Sequence, residues 1–167
     1  MLKIYVTNLK KYNEGALVGE WVELPHEDIE SVINQISNNN KDGLFISDFE
    51  TDVQGLEVGE YDDIEILNDI TEQIDDLSDG ELIAFQAYLL NSSSLNEALE
   101  KATDGNYTIY ENCDNMEDVV YQVVNDCGLL DGVPEEVRMY FDYEAYGRDM
   151  DINRTFIQID NSFVELY

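Results

Sequence analysis

Positive charge is what this chain has least of. Its 167 residues hold eight Lys plus Arg against 38 Asp plus Glu, with one His, for a formal net charge of −30. A nucleic-acid binder needs a basic footprint that displaces counterions, and docking on anionic lipid needs the same, so both classes are excluded. His26 is the single imidazole, and Gly-x-Ser-x-Gly, P-loop and HExxH patterns are absent. A lone His beside Pro25 at a helix start reads as a surface or capping residue, and the chain reads as a non-enzyme. Cys113 and Cys127 stand fourteen apart with no CxxC spacing and no partner histidines. They read as reduced, buried small hydrophobes rather than as a disulfide or a metal pair. No apolar run approaches the ~18 residues of a membrane span, and no basic-then-apolar signal opens the sequence. The expectation is a soluble cytoplasmic protein without cofactor or metal.

What is there is a core and a one-sided charge. At 44% hydrophobic and 11% aromatic the chain can bury an interior despite its charge. Between Lys41 and Lys101 lie 59 residues with 17 carboxylates and no cation. Extending to Arg138 adds only Lys101 and nine more acids. Surfaces ordinarily intersperse both signs because like charges in contact cost stability. A protein that carries such self-repulsion is presenting its charge, and the natural complement is a basic cleft or groove. Halophilic adaptation also raises surface acid, but does so uniformly. The nearest calcium-loop pattern starts at Asp48 and fails, with Val53 where Gly is required and Gly59 where the bidentate Glu belongs.

Periodicity predicts an α+β fold, an elongated chain of three small units. Residues 1–60 alternate like strands over Leu2–Asn8 and Leu17–Leu24, around an Asn13-Glu14-Gly15 turn signal. A short helix follows over His26–Ser37, with Ile29, Val32, Ile33 and Ile36 on one face, and then a strand over Gly43–Phe49. Residues 61–103 are helical. Asp62–Leu77 carries Ile66, Ile70, Ile74 and Leu77 on one stripe, and capping-box patterns begin at Ser78 and at Ser94. Residues 104–167 mix a strand over Tyr107–Tyr110, a helix capped by Asp114 and stopped by Gly128, and a helix from Pro134 through Tyr146 with a break. A terminal hairpin, Thr155–Ile159 and Ser162–Leu166, closes the chain around Asp160-Asn161. The tyrosines Tyr140, Tyr143 and Tyr146 read either as core packing or as a homodimer seam.

On a helix at ~100° per residue, Asp62, Glu65, Asp69, Glu72 and Asp76 fall within an arc of about 80°. Neighbouring acids at these spacings repel by roughly 0.2–0.5 kcal/mol each. A solvated helix face is the ordinary fate of such a run, but here the charge continues through three segments. At one charge per ~1.7 Å of duplex axis, a net −30 matches about 50 Å of DNA, and a symmetric dimer about twice that. The charge therefore has the right order to replace DNA in a long binding groove.

The block from Tyr5 to Pro25, YVTNLKKYNEGALVGEWVELP, resembles the opening signature of the ArdA antirestriction proteins. The block from Tyr143 to Asp149, YEAYGRD, followed by Thr155-Phe156, is similar to the family's other strong block. The stretch from Asp114 to Pro134 is similar too. The resemblance implies a protein carried by mobile elements and acting as a double-stranded-DNA mimic. It implies elongated dimers of three-domain chains, joined through the C-terminal domain and seated in the DNA groove of Type I restriction–modification enzymes. Carboxylates replacing phosphates would then be Asp62, Glu65, Asp69, Glu72, Asp76, Asp79, Glu81, Glu97, Asp114, Glu117 and Asp118. Two places depart from the expected family pattern: Arg154, where a small residue is expected, and the Asn161-Ser162 turn, where Gly is expected. The other reading is an acidic module for a different basic DNA-binding protein, such as a nucleoid protein or a polymerase.

Overall fold

Strand β1 (Leu2–Asn8) buries Leu2, Ile4 and Val6, the alternate positions that the period of two assigns to one face. In the computed structural model, which describes residues 1–37 and 43–167, β1 is the centre of a three-stranded antiparallel sheet. Its neighbours are β2 (Gly19–Leu24) and β3 (Leu44–Thr51), with Tyr5 opposite Trp21 and Ile4 opposite both Val22 and Phe49. The β1–β2 connection holds more than a turn. Asn8 accepts a hydrogen bond from the Lys11 amide and caps a five-residue helix, α1 (Leu9–Asn13), before Gly15 turns the chain at φ +83°. Helix α2 (Ile29–Ser37) lays Ile33 and Ile36 into the core, with Ile29 and Val32 half-buried beside them. His26 stands before this helix, its Nδ1 accepting from the Asp28 amide at 3.1 Å.

Three helices link this sheet to a second one. They are α3 (Ile64–Asp75), α4 (Asp79–Leu90) and α5 (Leu95–Asp104). The expected stripe on α3 is corrected: Ile66 is 57% exposed, and the buried face is Ile64, Leu67, Ile70, Thr71 and Ile74. Asp63 is the N-cap and sets that phase. Helix α4 begins with the expected capping box, Ser78 and Glu81 exchanging bonds, and then buries Ala84, Phe85, Gln86, Ala87 and Tyr88 in succession. Five consecutive buried positions mean a helix enclosed on all sides rather than an amphipathic one. It packs on α5 and on the second sheet, and the Tyr88 hydroxyl donates to the Asn106 carbonyl at 2.7 Å.

The second sheet has the order β4-β6-β5, all antiparallel, from β4 (Tyr107–Tyr110), β5 (Thr155–Ile159) and β6 (Ser162–Leu166). The hairpin turn is where the sequence places it, with Asp160 at φ +51°. Helices α6 (Met116–Asp126), α7 (Glu135–Arg138) and α8 (Tyr143–Asn153) fill the intervening chain, and the expected break lies between α7 and α8. The fold is α+β.

One apolar cluster runs from Leu2 on β1 through α3–α5 to Leu166 on β6. Each fully buried large side chain within it, such as Phe85 or Ile4, contributes about 1.5–3 kcal/mol. A second, smaller cluster of Cys113, Val119, Val120, Val123, Val124 and Met150 lies under α6 and α8. The cysteines therefore differ. Cys113 is buried as expected, with its thiol raised first by burial, but Cys127 is exposed. It falls at the C-cap of α6, where the chain leaves the core.

Candidate partner-binding face

Helix α3 supplies the centre of the acidic face. Glu65, Asp69 and Glu72 are exposed on it, opposite the Ile64–Ile74 stripe, and neither α3 nor α4 contains a Lys or Arg. At ~1.5 Å per residue these acids are spaced about 6 and 4.5 Å along the axis. Asp62 and Asp76, expected on the same helix, flank it. Asp62 accepts from the Gly59 amide at 2.7 Å in the preceding turn, and Asp76 is the C-cap. An acid at a helix C-terminus faces the negative end of the macrodipole, so Asp76 stands where stability alone would favour a cation.

Asp76 and Glu81 meet across an open hollow of about 500 Å³ between α3, α4 and α5, to which Glu100 also contributes. Glu100 is absent from the expected set. Its signal is its i, i+3 spacing from Glu97 on one helix. A second hollow, of about 360 Å³, joins Asp62 and Glu65 with Asp63 and Tyr61.

Several of these carboxylates already serve the fold. Glu81 Oε2 accepts from the Ser78 amide at 2.9 Å and from its hydroxyl at 2.5 Å, and these bonds hold its carboxyl below the ordinary range. Glu97 is paired with Lys101 at 2.8 Å, and that cation lowers its carboxyl in the same way. Lys101 therefore offsets part of the charge that Glu97 presents. Asp79 is exposed at the first turn of α4.

The last three acids begin α6, on the part of the chain that packs against α8 rather than against α3. Here the expected cap is corrected. Asn115, not Asp114, caps the helix, accepting from the Glu117 and Asp118 amides at 2.9 and 3.2 Å. Asp118 turns back to accept from the Asp114 amide at 3.0 Å, and Glu117 is exposed.

Lys3, Lys11, Lys101, Arg148 and Arg154 each pair with a carboxylate of the chain, at 2.8 to 3.2 Å. Among the described residues no group of three or more His, Cys, Asp or Glu is placed to hold a metal, and no helix is long and apolar enough to cross a membrane. The three tyrosines divide. Tyr143 is half-buried and stacked on Tyr121 with ring centroids 3.9 Å apart, and Tyr146 packs on Phe141. Tyr140 is 84% exposed, next to Met139 at 77%.

Fold and surface together define an acidic α+β protein whose helices α3 and α4 carry no Lys or Arg. The family model described as antirestriction protein (ArdA) matches residues 4–165, nearly the whole chain, and the chain belongs to that family. Its role is antirestriction, directed at restriction enzymes, and the family is one of inhibitors rather than a known enzyme family. No curated protein matches the chain.

Proposed function

We propose that the protein inhibits Type I restriction–modification enzymes competitively, as a mimic of double-stranded DNA seated in their DNA-binding groove. The observation that carries this reading is the exposed row Glu65, Asp69 and Glu72 on a helix without cations, continued by Asp62, Asp76, Asp79 and Glu100. Carboxylates at one-turn spacing offer Lys and Arg of such a groove charge-assisted bonds in place of phosphates. Asp114, Glu117 and Asp118 extend the face at the start of α6. The working form is a homodimer of three-unit chains in the cytoplasm, joined through the C-terminal unit. The exposed Tyr140 and Met139, with Val137 at 54%, favour that seam.

The test is titration of the protein into a Type I enzyme carrying a labelled cognate duplex, at two salt concentrations. The reading predicts stoichiometric displacement that weakens with salt. Absence of displacement across several such enzymes, together with displacement of DNA from a basic nucleoid protein, would transfer the mimicry to a different partner.

A further inference from the structure

A mimic made of separated acidic segments works only if their spacing is held, and one turn adds directional bonds to the core that spans them. After β3, residues Val53 to Leu56 form a tight turn, the Leu56 amide donating to the Val53 carbonyl at 3.2 Å. Both side chains are buried in the main core. Gly55 lies between them at φ +79°, and a Cβ there would come within 3.0 Å of Leu89 Cβ, so the turn is pressed directly onto α4. The Gln54 amide donates at 2.8 Å to Oε1 of Gln86, an α4 side chain that is 8% exposed. The Gln54 side chain reaches the other way, its Nε2 donating to Asp160 Oδ1 at 2.9 Å in the β5–β6 hairpin turn, 106 residues along. The first sheet, the enclosed helix and the last hairpin thus meet at one residue.

We propose that Gln54, Gln86 and Asp160 form a positioning joint, which fixes the orientation of the N-terminal sheet against the C-terminal unit and with it the distance from the α3 acids to the α6 acids. The inference rests on the mimic reading for its consequence, though not for its geometry. Two hydrogen bonds converging on one residue are directional, and they add an angular constraint to the apolar packing of α4. Replacing Gln86 with Met keeps the volume and leaves the Gln54 amide without its acceptor.

Asp160 allows the bond to be separated from the charge. Asp160→Asn and Asp160→Gly each remove one negative charge, and both residue types tolerate the positive φ, but only Asn retains Oδ1. Spin labels at Glu20→Cys and Asp126→Cys, in a Cys127→Ser background diluted with unlabelled chain, report the distance between the two ends within a protomer. The expected result is a broadened distance distribution for Gln86→Met and Asp160→Gly, with Asp160→Asn superimposing on the parent. The two broadened variants should need at least threefold more protein to displace a duplex from a Type I enzyme, and Asp160→Asn should match the parent. Unchanged distances in Gln86→Met and Asp160→Gly would overturn the joint. Broadened distances with undiminished displacement would overturn its functional role. If the parent itself displaces no duplex the mimic reading fails, and the distance measurement alone still decides the joint.

Discussion

At the scale of single residues, the most telling acid is the one that is hidden. Among the described residues Glu165 is the only buried carboxylate, 3% exposed on the central strand β6. It is kept there by Arg154 Nη1 at 3.1 Å and by the Tyr110 hydroxyl, which donates at 3.0 Å. The Arg154 side chain is 45% exposed, so it keeps part of its hydration while neutralising Glu165. Arg154→Gly leaves a buried charge with one neutral donor. It should cost about 1–3 kcal/mol in chemical denaturation, and adding Glu165→Gln should recover much of the loss. The same cluster sets an alkaline limit. Burial first, then the bond to Glu165 and its charge, push the Tyr110 phenol well above its ordinary 10.0. The folded chain therefore keeps a proton that the unfolded chain releases, so this contribution is full below pH ~10 and is lost as pH rises beyond it. A Tyr110→Phe variant should lose stability less steeply between pH 10 and 12 than the parent, and equal slopes would show that the phenol is not the titrating group.

Elements are decided by caps and by what lies across from them. For α6 the two candidates are adjacent, and the bonds choose Asn115. Asn115→Ala should destabilise by about 1 kcal/mol in thermal melts, and Asp114→Ala by less than about 0.5 kcal/mol, since its side chain caps nothing. Equal losses would return the cap to Asp114. Strands β1 and β2 were legible because alternation in a half-buried strand is a strong pattern, β3 and β4 as short apolar runs, and β5 and β6 as a hairpin around the Asp160-Asn161 turn. Helix α1 was not, because five residues cannot show an apolar stripe and only the Asn8 cap marks the start. On α3 two apolar sets interleave and share Ile70 and Ile74. The Asp63 cap and the packing against β2 select the one containing Ile64 and Leu67, which turns Ile66 to solvent. The interior of α4 could not be read as one face because it has none. Acid runs were visible in the sequence as charge, but not how Glu81 is engaged by Ser78, Glu97 by Lys101 or Asp62 by Gly59. Those commitments are made by side-chain geometry that periodicity does not carry.

For the whole molecule the question is what a formal −30 does to stability. Crowding alone would raise carboxyl pKa values together and make the fold more stable toward acid pH. The carboxyls that depart from their ordinary values instead move down: Glu14 and Glu97 beside lysines, Glu81 in its capping box, and Asp52 beside the N-terminal ammonium. For these groups the sign is reversed, because a lowered acid stabilises above its unfolded pKa and loses that contribution as pH falls through the folded one. Local bonds therefore oppose the collective repulsion, and pH mixes the two. Salt separates them, since diffuse repulsion between exposed charges is screened at ~10 Å in 0.1 M salt while short bonds persist better. A few acid pairs at about 0.2–0.5 kcal/mol each amount to roughly 1–2 kcal/mol, or about 2–8 °C in Tm. Raising NaCl from low to physiological levels should thus raise Tm by several degrees while weakening inhibition of the restriction enzyme. Changing Asp62, Glu65, Asp69, Glu72 and Asp76 together to their amides should flatten the Tm response and raise the inhibitory concentration sharply. Any one of these changes alone should do little, because the charge is distributed. Opposite responses of stability and inhibition to the same salt, both diminished by the same five substitutions, would tie the strain in the fold to the surface that the partner reads. A Tm indifferent to salt would mean that the charge is carried without strain, and that local bonds such as those of Glu81 and Glu97 already balance it.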